Sequence, residues 1–416
     1  IVDLRDGSRR PLKDALEGTA LVSPYGKYIA WFDPKDGDWY CWNLSSGEFV
    51  NLTSGLDVAF FDEEDDHPLG CFVPATSPRW VGEDEALLIA DRYDVWKFSP
   101  DGKKIENLTK GEGRRTGVQY RIIDLGRRND PYLYQNIQSF PKKGKLYLTT
   151  FGEETSENGY AVANIAKPSV PQGFTDKWSF SSTVKAKDAG TIAYLKGNFR
   201  NPMNLHITRD EWKTAECLTD LNRQQDGYLW GDVQMVRWTS YDGTPLKGLL
   251  YTPENLDVSR KYPMMIYFYE KNSETLYNYI QPAPSRSIIN IPFYVSRGYV
   301  VFVPDIVYKD GHPGESAYNC ICAGAEAMCS QFPFVDRSRM AIQGQSWGGY
   351  QTAYLVTRTD MFAAAGAGAP VGNMTSAYGG IRWESGNSRI GQYEHGQSRI
   401  GKTLWEEGGL DLYVEN

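Results

Sequence analysis

The chain has 416 residues, a net charge of −8, 41% hydrophobic and 23% charged residues. That length supports two or more domains with sizeable cores, and the acidic balance, with no Lys/Arg stripe, argues against a nucleic-acid polyanion as partner. No apolar run approaches the roughly 18 residues needed to span a bilayer, and the basic pairs Arg114-Arg115 and Arg127-Arg128 read as solvated loop residues.

Twelve Trp and 27 Tyr favour a β-rich portion in which aromatics pack across strands. The first half repeats. Asn51-Leu52-Thr53, Asn107-Leu108-Thr109 and Cys217-Leu218-Thr219 recur at a period near 55, with one marker degenerate. Each follows two short strand-like runs, such as Tyr28–Phe32 with Trp39–Leu44 and Glu85–Ala90 with Asp94–Phe98. Lys145–Leu148 with Tyr160–Ala163, and Thr191–Leu195 with Asn204–Ile207, continue the series. Ser-Pro-x-Gly-Lys at 23–27 and 99–103 supplies turns. Short strands at such a period predict propeller blades. Four are visible over residues 1–225, and Ile1–Arg10 reads as the remnant of another. Two of the markers also fit a glycosylation sequon, but recurrence at blade period favours strand ends. The acidic run Phe61–His67, including Glu63-Glu64, reads as a solvated loop.

From about residue 226 to 416 the pattern changes. Val233–Trp238 and Leu246–Tyr251 flank a glycine turn and predict a hairpin. Tyr262–Tyr269 and Tyr299–Pro304 are near-continuous apolar runs, suited to strands buried on both faces of a mostly parallel sheet. Gly314–Gln331 reads as a crossover helix, and Ala363–Ala369 as a further buried strand. Six scattered cysteines, at 41, 71, 217, 320, 322 and 329, lack metal-site spacing and read as buried free thiols.

Between those elements lies Gly344-Gln345-Ser346-Trp347-Gly348-Gly349-Tyr350, preceded by a short apolar strand and followed by a helix. Strand, glycine-flanked serine and helix is the context of a nucleophile elbow. The flanking glycines avoid collisions across the turn. The serine hydroxyl is lifted from the sheet, and the first helical N–H groups face the substrate carbonyl. Ser346 also needs a histidine and an orienting carboxylate, which in this architecture follow the serine, acid first. Among the 70 residues after Ser346 the only histidine is His395, with no strand before it, and Asp411 follows it in the wrong order. The triad Asp and His are therefore expected beyond residue 416. The chain, which starts at Ile1, is expected to be a fragment open at both ends.

A partial β-propeller followed by an α/β-hydrolase domain with Gly-x-Ser-x-Gly-Gly-Tyr resembles the prolyl oligopeptidase family of serine peptidases, including its dipeptidyl peptidase IV and acylaminoacyl peptidase branches. The resemblance spans the whole chain and is most specific at Tyr241–Leu246, Lys261-Tyr262-Pro263, Gly344–Tyr350 and Ala369-Pro370-Val371. It implies that the Trp347 N–H and the Tyr269 hydroxyl hold the oxyanion, and that Val371, Met374 and Tyr378 wall the pocket for the residue before the scissile bond. Relatives follow that tyrosine with a Gly-Gly-Pro-like turn, whereas this chain has Glu270-Lys271-Asn272-Ser273. The paired glutamates that capture a substrate amino terminus in the aminopeptidase branch have no match; Glu63-Glu64 lacks the neighbours.

The expected activity is hydrolysis of short peptides after proline or small residues through an acyl-enzyme, with Ser346 as nucleophile. No cofactor and no metal is implied. The partner is a peptide substrate, with homodimerisation left open, and Gly311–Ser316 is similar to bacterial periplasmic or secreted members. Two alternatives stand beside it. One is an esterase or acyl-hydrolase on the same elbow; the other is a non-catalytic propeller binding protein with a degenerate hydrolase domain.

Overall fold

The computed structural model describes residues 2–3, 5–13, 16–18, 20–125, 139–285 and 288–416; Arg127-Arg128 and Ile1 lie outside them. The chain divides into two compact units. One comprises Ile1–Asp65, Cys71–Thr149 and Ala161–Gln172; the other comprises Asp66–Gly70, Thr150–Tyr160 and Gly173–Asn416.

Among the described residues four four-stranded sheets follow one another along the chain, each built in sequence order. The first is β1 (Ala20–Val22), β2 (Tyr28–Asp33), β3 (Asp38–Asn43) and β4 (Phe49–Asn51). The second is β5 (Arg79–Val81), β6 (Ala86–Ala90), β7 (Val95–Phe98) and β8 (Ile105–Asn107). The third is β9 (Val118–Ile122), β10 (Lys145–Gly152), β11 (Asn158–Asn164) and β12 (Gln172–Asp176). The fourth is β13 (Ser179–Lys185), β14 (Ile192–Gly197), β15 (Asn204–Thr208) and β16 (Glu216–Cys217). Ahead of them Val2 and Arg9 form a single antiparallel bridge.

The repeated triplet has a physical reason that the sequence did not show. Thr53, just past β4, donates its hydroxyl to Asp38 at 2.6 Å and accepts the Trp39 N–H at 2.9 Å. Thr109 does the same with Asp94 (2.6 Å) and Val95 (3.1 Å), and Thr219 with Asn204 (2.9 Å) and Leu205 (2.8 Å). One hydroxyl thus ties the end of the fourth strand to the start of the third and gives a backbone N–H there its acceptor. Leu52 and Leu108, one residue earlier, are buried. The degenerate copy is Thr175, whose hydroxyl reaches the Glu157 carboxylate at 3.2 Å.

The last sheet has six strands in the order β17-β18-β20-β19-β21-β22. They are β17 (Asp232–Thr239), β18 (Pro245–Thr252), β19 (Tyr262–Tyr267), β20 (Val300–Pro304), β21 (Val335–Gln345) and β22 (Ala364–Gly368). The β17–β18 hairpin is antiparallel and β18 runs antiparallel to β20; β20, β19, β21 and β22 are mutually parallel. Period-two alternation sends Met264, Ile266, Val300 and Phe302 to one apolar cluster, with Ala317, Cys320 and Ile321 of the helix Pro313–Gln331. It sends Leu249, Tyr251, Val301 and Val303 to the other, with Ile291 and Val295 of the short helix Ile291–Val295. Each large side chain so buried contributes about 1.5–3 kcal/mol, which accounts for apolar runs with no polar face.

One expectation fails. The Ala363–Ala369 run does form a strand, but Ala364–Ala367 are exposed rather than buried. β22 is the sheet's edge, so among the described residues no strand pairs with its outer side and its small side chains stay open.

Candidate active site

Strand β21 runs directly into the helix Trp347–Val356, and Ser346 is the single residue between them. Its backbone sits at φ 57°, ψ −109°, a left-handed conformation that costs a non-glycine residue about 1–3 kcal/mol. The surroundings hold it there. Its N–H donates to the Gly368 carbonyl of β22 at 2.9 Å, and its carbonyl accepts the Tyr350 N–H at 3.0 Å. A Cβ on Gly344 would stand 2.2 Å from the Gly348 carbonyl oxygen, across the turn. A Cβ on Gly348 would stand 2.4 Å from the Phe268 carbonyl oxygen, at the end of the neighbouring strand. Only glycine allows either approach. The Ser346 residue is half-buried, and its hydroxyl caps no helical N–H. As the first helical residue, Trp347 has a backbone N–H with no carbonyl to bond inside the helix.

Tyr269 lies two residues past β19, with its ring packed beside Gly348. Its backbone carbonyl accepts from the Gln351 amide (3.0 Å) and the Tyr308 hydroxyl (3.2 Å). Tyr308 accepts in turn from the Trp347 indole (3.1 Å) and from Gln351 (2.6 Å). Burial pushes the Tyr308 hydroxyl far above its ordinary value, against the opposing pull of Arg399, so it stays protonated and able to donate. The elbow helix and the tyrosine loop are therefore stitched by side chains that sequence reading did not single out.

The loop after Tyr269 replaces glycines with carboxylate chemistry. Glu270 and Asp66 flank Arg399, which is almost wholly buried and stacks on Tyr308 at 4.1 Å. Arg399 donates to Asp66 at 2.7 and 3.0 Å and to Glu270 at 3.3 Å. Burial works to lower its pKa, yet its partners, Asp66 first, leave it raised. Asp66 thus has a specific partner rather than being one more solvated acid. Asp305 secures the next turn by accepting from the Asn272 N–H (2.6 Å), the Ser273 N–H (2.9 Å) and the Ser273 hydroxyl.

Val371, Met374 and Tyr378 all join the apolar cluster that contains Trp347 and Tyr350. Val371 is half-buried, Met374 is buried, and Tyr378 directs its hydroxyl to Glu394. His395 sits elsewhere in the bonding pattern. Its ring is half-exposed, with Nδ1 3.3 Å from the Pro68 carbonyl and Nε2 3.5 Å from Glu394. Among the described residues no histidine bonds the Ser346 hydroxyl. Glu63 and Glu64 face Arg114 and Arg92 within the first unit.

Comparison with known proteins fits this geometry. The model of the prolyl oligopeptidase family matches residues 284–399, the stretch that carries the elbow and Val371, Met374 and Tyr378. Over that stretch the chain is similar to the prolyl oligopeptidase family. Dipeptidyl peptidase 8 of Mus musculus is 31% identical over 284 residues, 64% of this chain and 30% of that protein. Dipeptidyl-peptidase 5 of Porphyromonas gingivalis is 23% identical over 443 aligned positions, 93% of this chain and 59% of that protein. The chain thus spans between about a third and three fifths of the length of these relatives. A Mycobacterium tuberculosis puromycin-hydrolyzing peptidase superposes with a TM-score of 0.59 at 16% identity, covering 95% of this chain and 58% of that one. The likeness is one of fold: propeller-type sheets followed by a hydrolase sheet. No helix of the described residues is long and apolar enough to cross a membrane.

Proposed function

We propose that the protein is a serine peptidase that cleaves short peptides through an acyl-enzyme, after proline or a small residue. The observation that carries this reading is Ser346, held in a left-handed conformation between β21 and its helix, with its hydroxyl capping no helical N–H. Attack of Ser346 Oγ on the scissile carbonyl would form a tetrahedral oxyanion. The Trp347 N–H and the Tyr269 O–H would hold it, each such donor contributing about 10²–10³ in kcat. Collapse releases the amine and leaves the acyl-serine, which water then hydrolyses. A histidine oriented by an acid would take the serine proton. The engagement of His395 with Pro68 and Glu394 argues against it as that histidine.

The same reading keeps the boundary near residue 225. Residues 1–225 are read as four propeller blades, and residues 226–416 as the hydrolase domain. Val371, Met374 and Tyr378 form the wall for the residue before the scissile bond. The names of the dipeptidyl peptidase relatives support substrates with a free amino terminus. A homodimer and a periplasmic or secreted location rest on the family resemblance alone.

The test uses the intact protein. A fluorophosphonate probe should label it, and Ser346→Ala should abolish the label; labelling that persists removes Ser346 from the mechanism. Cleavage of free-amine but not blocked proline peptides would identify a dipeptidyl peptidase, and the reverse an endopeptidase.

A further inference from the structure

An oxyanion donor must do more than stand near the carbonyl; its proton must point there. A tyrosine hydroxyl has one proton and accepts through its lone pairs, so its neighbours decide which way it donates. Gln397 makes that decision here. Its side-chain nitrogen lies 2.8 Å from the Tyr269 hydroxyl and 3.0 Å from a Glu270 carboxylate oxygen. A carboxylate beside an arginine only accepts, so the group facing Glu270 must be the amide NH₂ and not the amide oxygen. One of its two hydrogens goes to Glu270 and the other to Tyr269. The Tyr269 oxygen is thereby an acceptor from Gln397, and its own proton turns away from that amide.

The arrangement is held from behind. Arg399, buried and fixed at φ 52°, donates to Glu270 and also to the Gln397 backbone carbonyl at 2.8 Å. The amide oxygen of Gln397 faces the Gln392 amide at 3.4 Å, which agrees with the same orientation. The unusual residue after Tyr269, a glutamate, thus sets the polarity of the chain Arg399, Glu270, Gln397, Tyr269.

We infer that Gln397 is a positioning residue that commits the Tyr269 hydroxyl to donate toward the reacting carbonyl. The inference deepens the peptidase reading and rests on it. The experiment is a double-mutant cycle on the intact protein, with a dipeptide p-nitroanilide as substrate and fluorophosphonate inactivation as a second rate. Tyr269→Phe should lower kcat by about 10²-fold. Gln397→Met, nearly isosteric but unable to donate, should lower kcat roughly tenfold with KM little changed, since a neutral hydrogen bond of about 1.4 kcal/mol corresponds to tenfold. In the Tyr269→Phe background, Gln397→Met should cost less than about twofold, because its target is gone. Losses that multiply would assign Gln397 a merely structural part and overturn the inference, as would a parental kcat in Gln397→Met. If Gln397→Met does not fold, Glu270→Gln, which removes the orienting charge, should lower kcat a few-fold, and no change overturns the inference equally. A parental kcat in Tyr269→Phe, with Ser346 still labelled, sinks the oxyanion reading itself and carries this inference with it.

Discussion

Replacing Gly348 by alanine tests whether the elbow is as tight as its packing requires. The added carbon would stand 2.4 Å from the Phe268 carbonyl oxygen, and ordinary contact begins at 3.4 Å, so the gap must open by about 1 Å. The obstacle is backbone, and no rotamer change relieves it. Either the first turn of the elbow helix or the Phe268-Tyr269 segment must yield. Both movements separate Ser346 from Tyr269. Overpacking of this kind costs about 1–3 kcal/mol, while alanine regains up to ~1 kcal/mol over glycine inside a helix. The net loss of about 1 kcal/mol leaves the protein folded, with a Tm lower by only a few degrees. Misplacement of the reacting groups by about 1 Å costs roughly 10²-fold in rate, so the damage belongs in kcat. Peptide hydrolysis and fluorophosphonate inactivation, read beside a circular-dichroism melt of Gly348→Ala, separate the two. Parental rates would show that the turn absorbs a side chain, and the reasoning from close approach would fail.

Asp305→Ala leaves a buried N–H, a half-buried N–H and a hydroxyl without their acceptor and should cost about 3 kcal/mol in denaturant unfolding; a loss below about 0.5 kcal/mol would refute it. Burial raises the Asp305 carboxyl above its ordinary 3.8 despite those donors. Because the folded value is the higher one, the contribution of Asp305 is complete below pH 3.8 and is lost as pH rises through the raised value. Asp305→Asn should therefore gain on the parent across that window, and a constant difference would contradict the sign. Burial also pushes the Cys41, Cys320 and Cys322 thiols up to about 12, whereas Cys71 and Cys217, against the expectation of buried thiols, are exposed. Iodoacetamide on the native protein should modify Cys71 and Cys217 first by mass spectrometry, and early alkylation of Cys320 or Cys322 would place that helix differently.

The elbow was legible because its chemistry is local: glycines at 344 and 348 answer contacts made by the turn itself and by the adjoining strand. The strands were legible because alternation and apolar runs report burial directly, as in Met264 to Tyr267 and Val300 to Val303. Tyr269 could be placed only through resemblance, since three aromatic residues in a row carry no signal of which one leaves the core. The polar relay was not legible at all. Asp66, Glu270 and the neighbouring Gln397 and Arg399 come from three separate stretches of sequence, and each looks like a surface residue until the fold gathers them. Glu270 offered the one available hint, as a departure from the expected glycine turn. The exposure of β22 escaped notice for the opposite reason, because alanine and glycine read alike on an open edge and beneath a tightly packed helix.

The hydroxyl ties of the sheets carry a consequence for anyone making this protein. Asn51 spends its amide on Asp38 at 2.9 Å and its oxygen on the N–H groups of Thr53 and Ser54, so in the folded state this sequon offers nothing to an oligosaccharyltransferase. The emerging polypeptide in a eukaryotic secretory host offers it freely. A glycan added there would occupy the nitrogen that the first sheet needs for closure, so a bacterial host, which leaves the asparagine bare, is the sounder source of material.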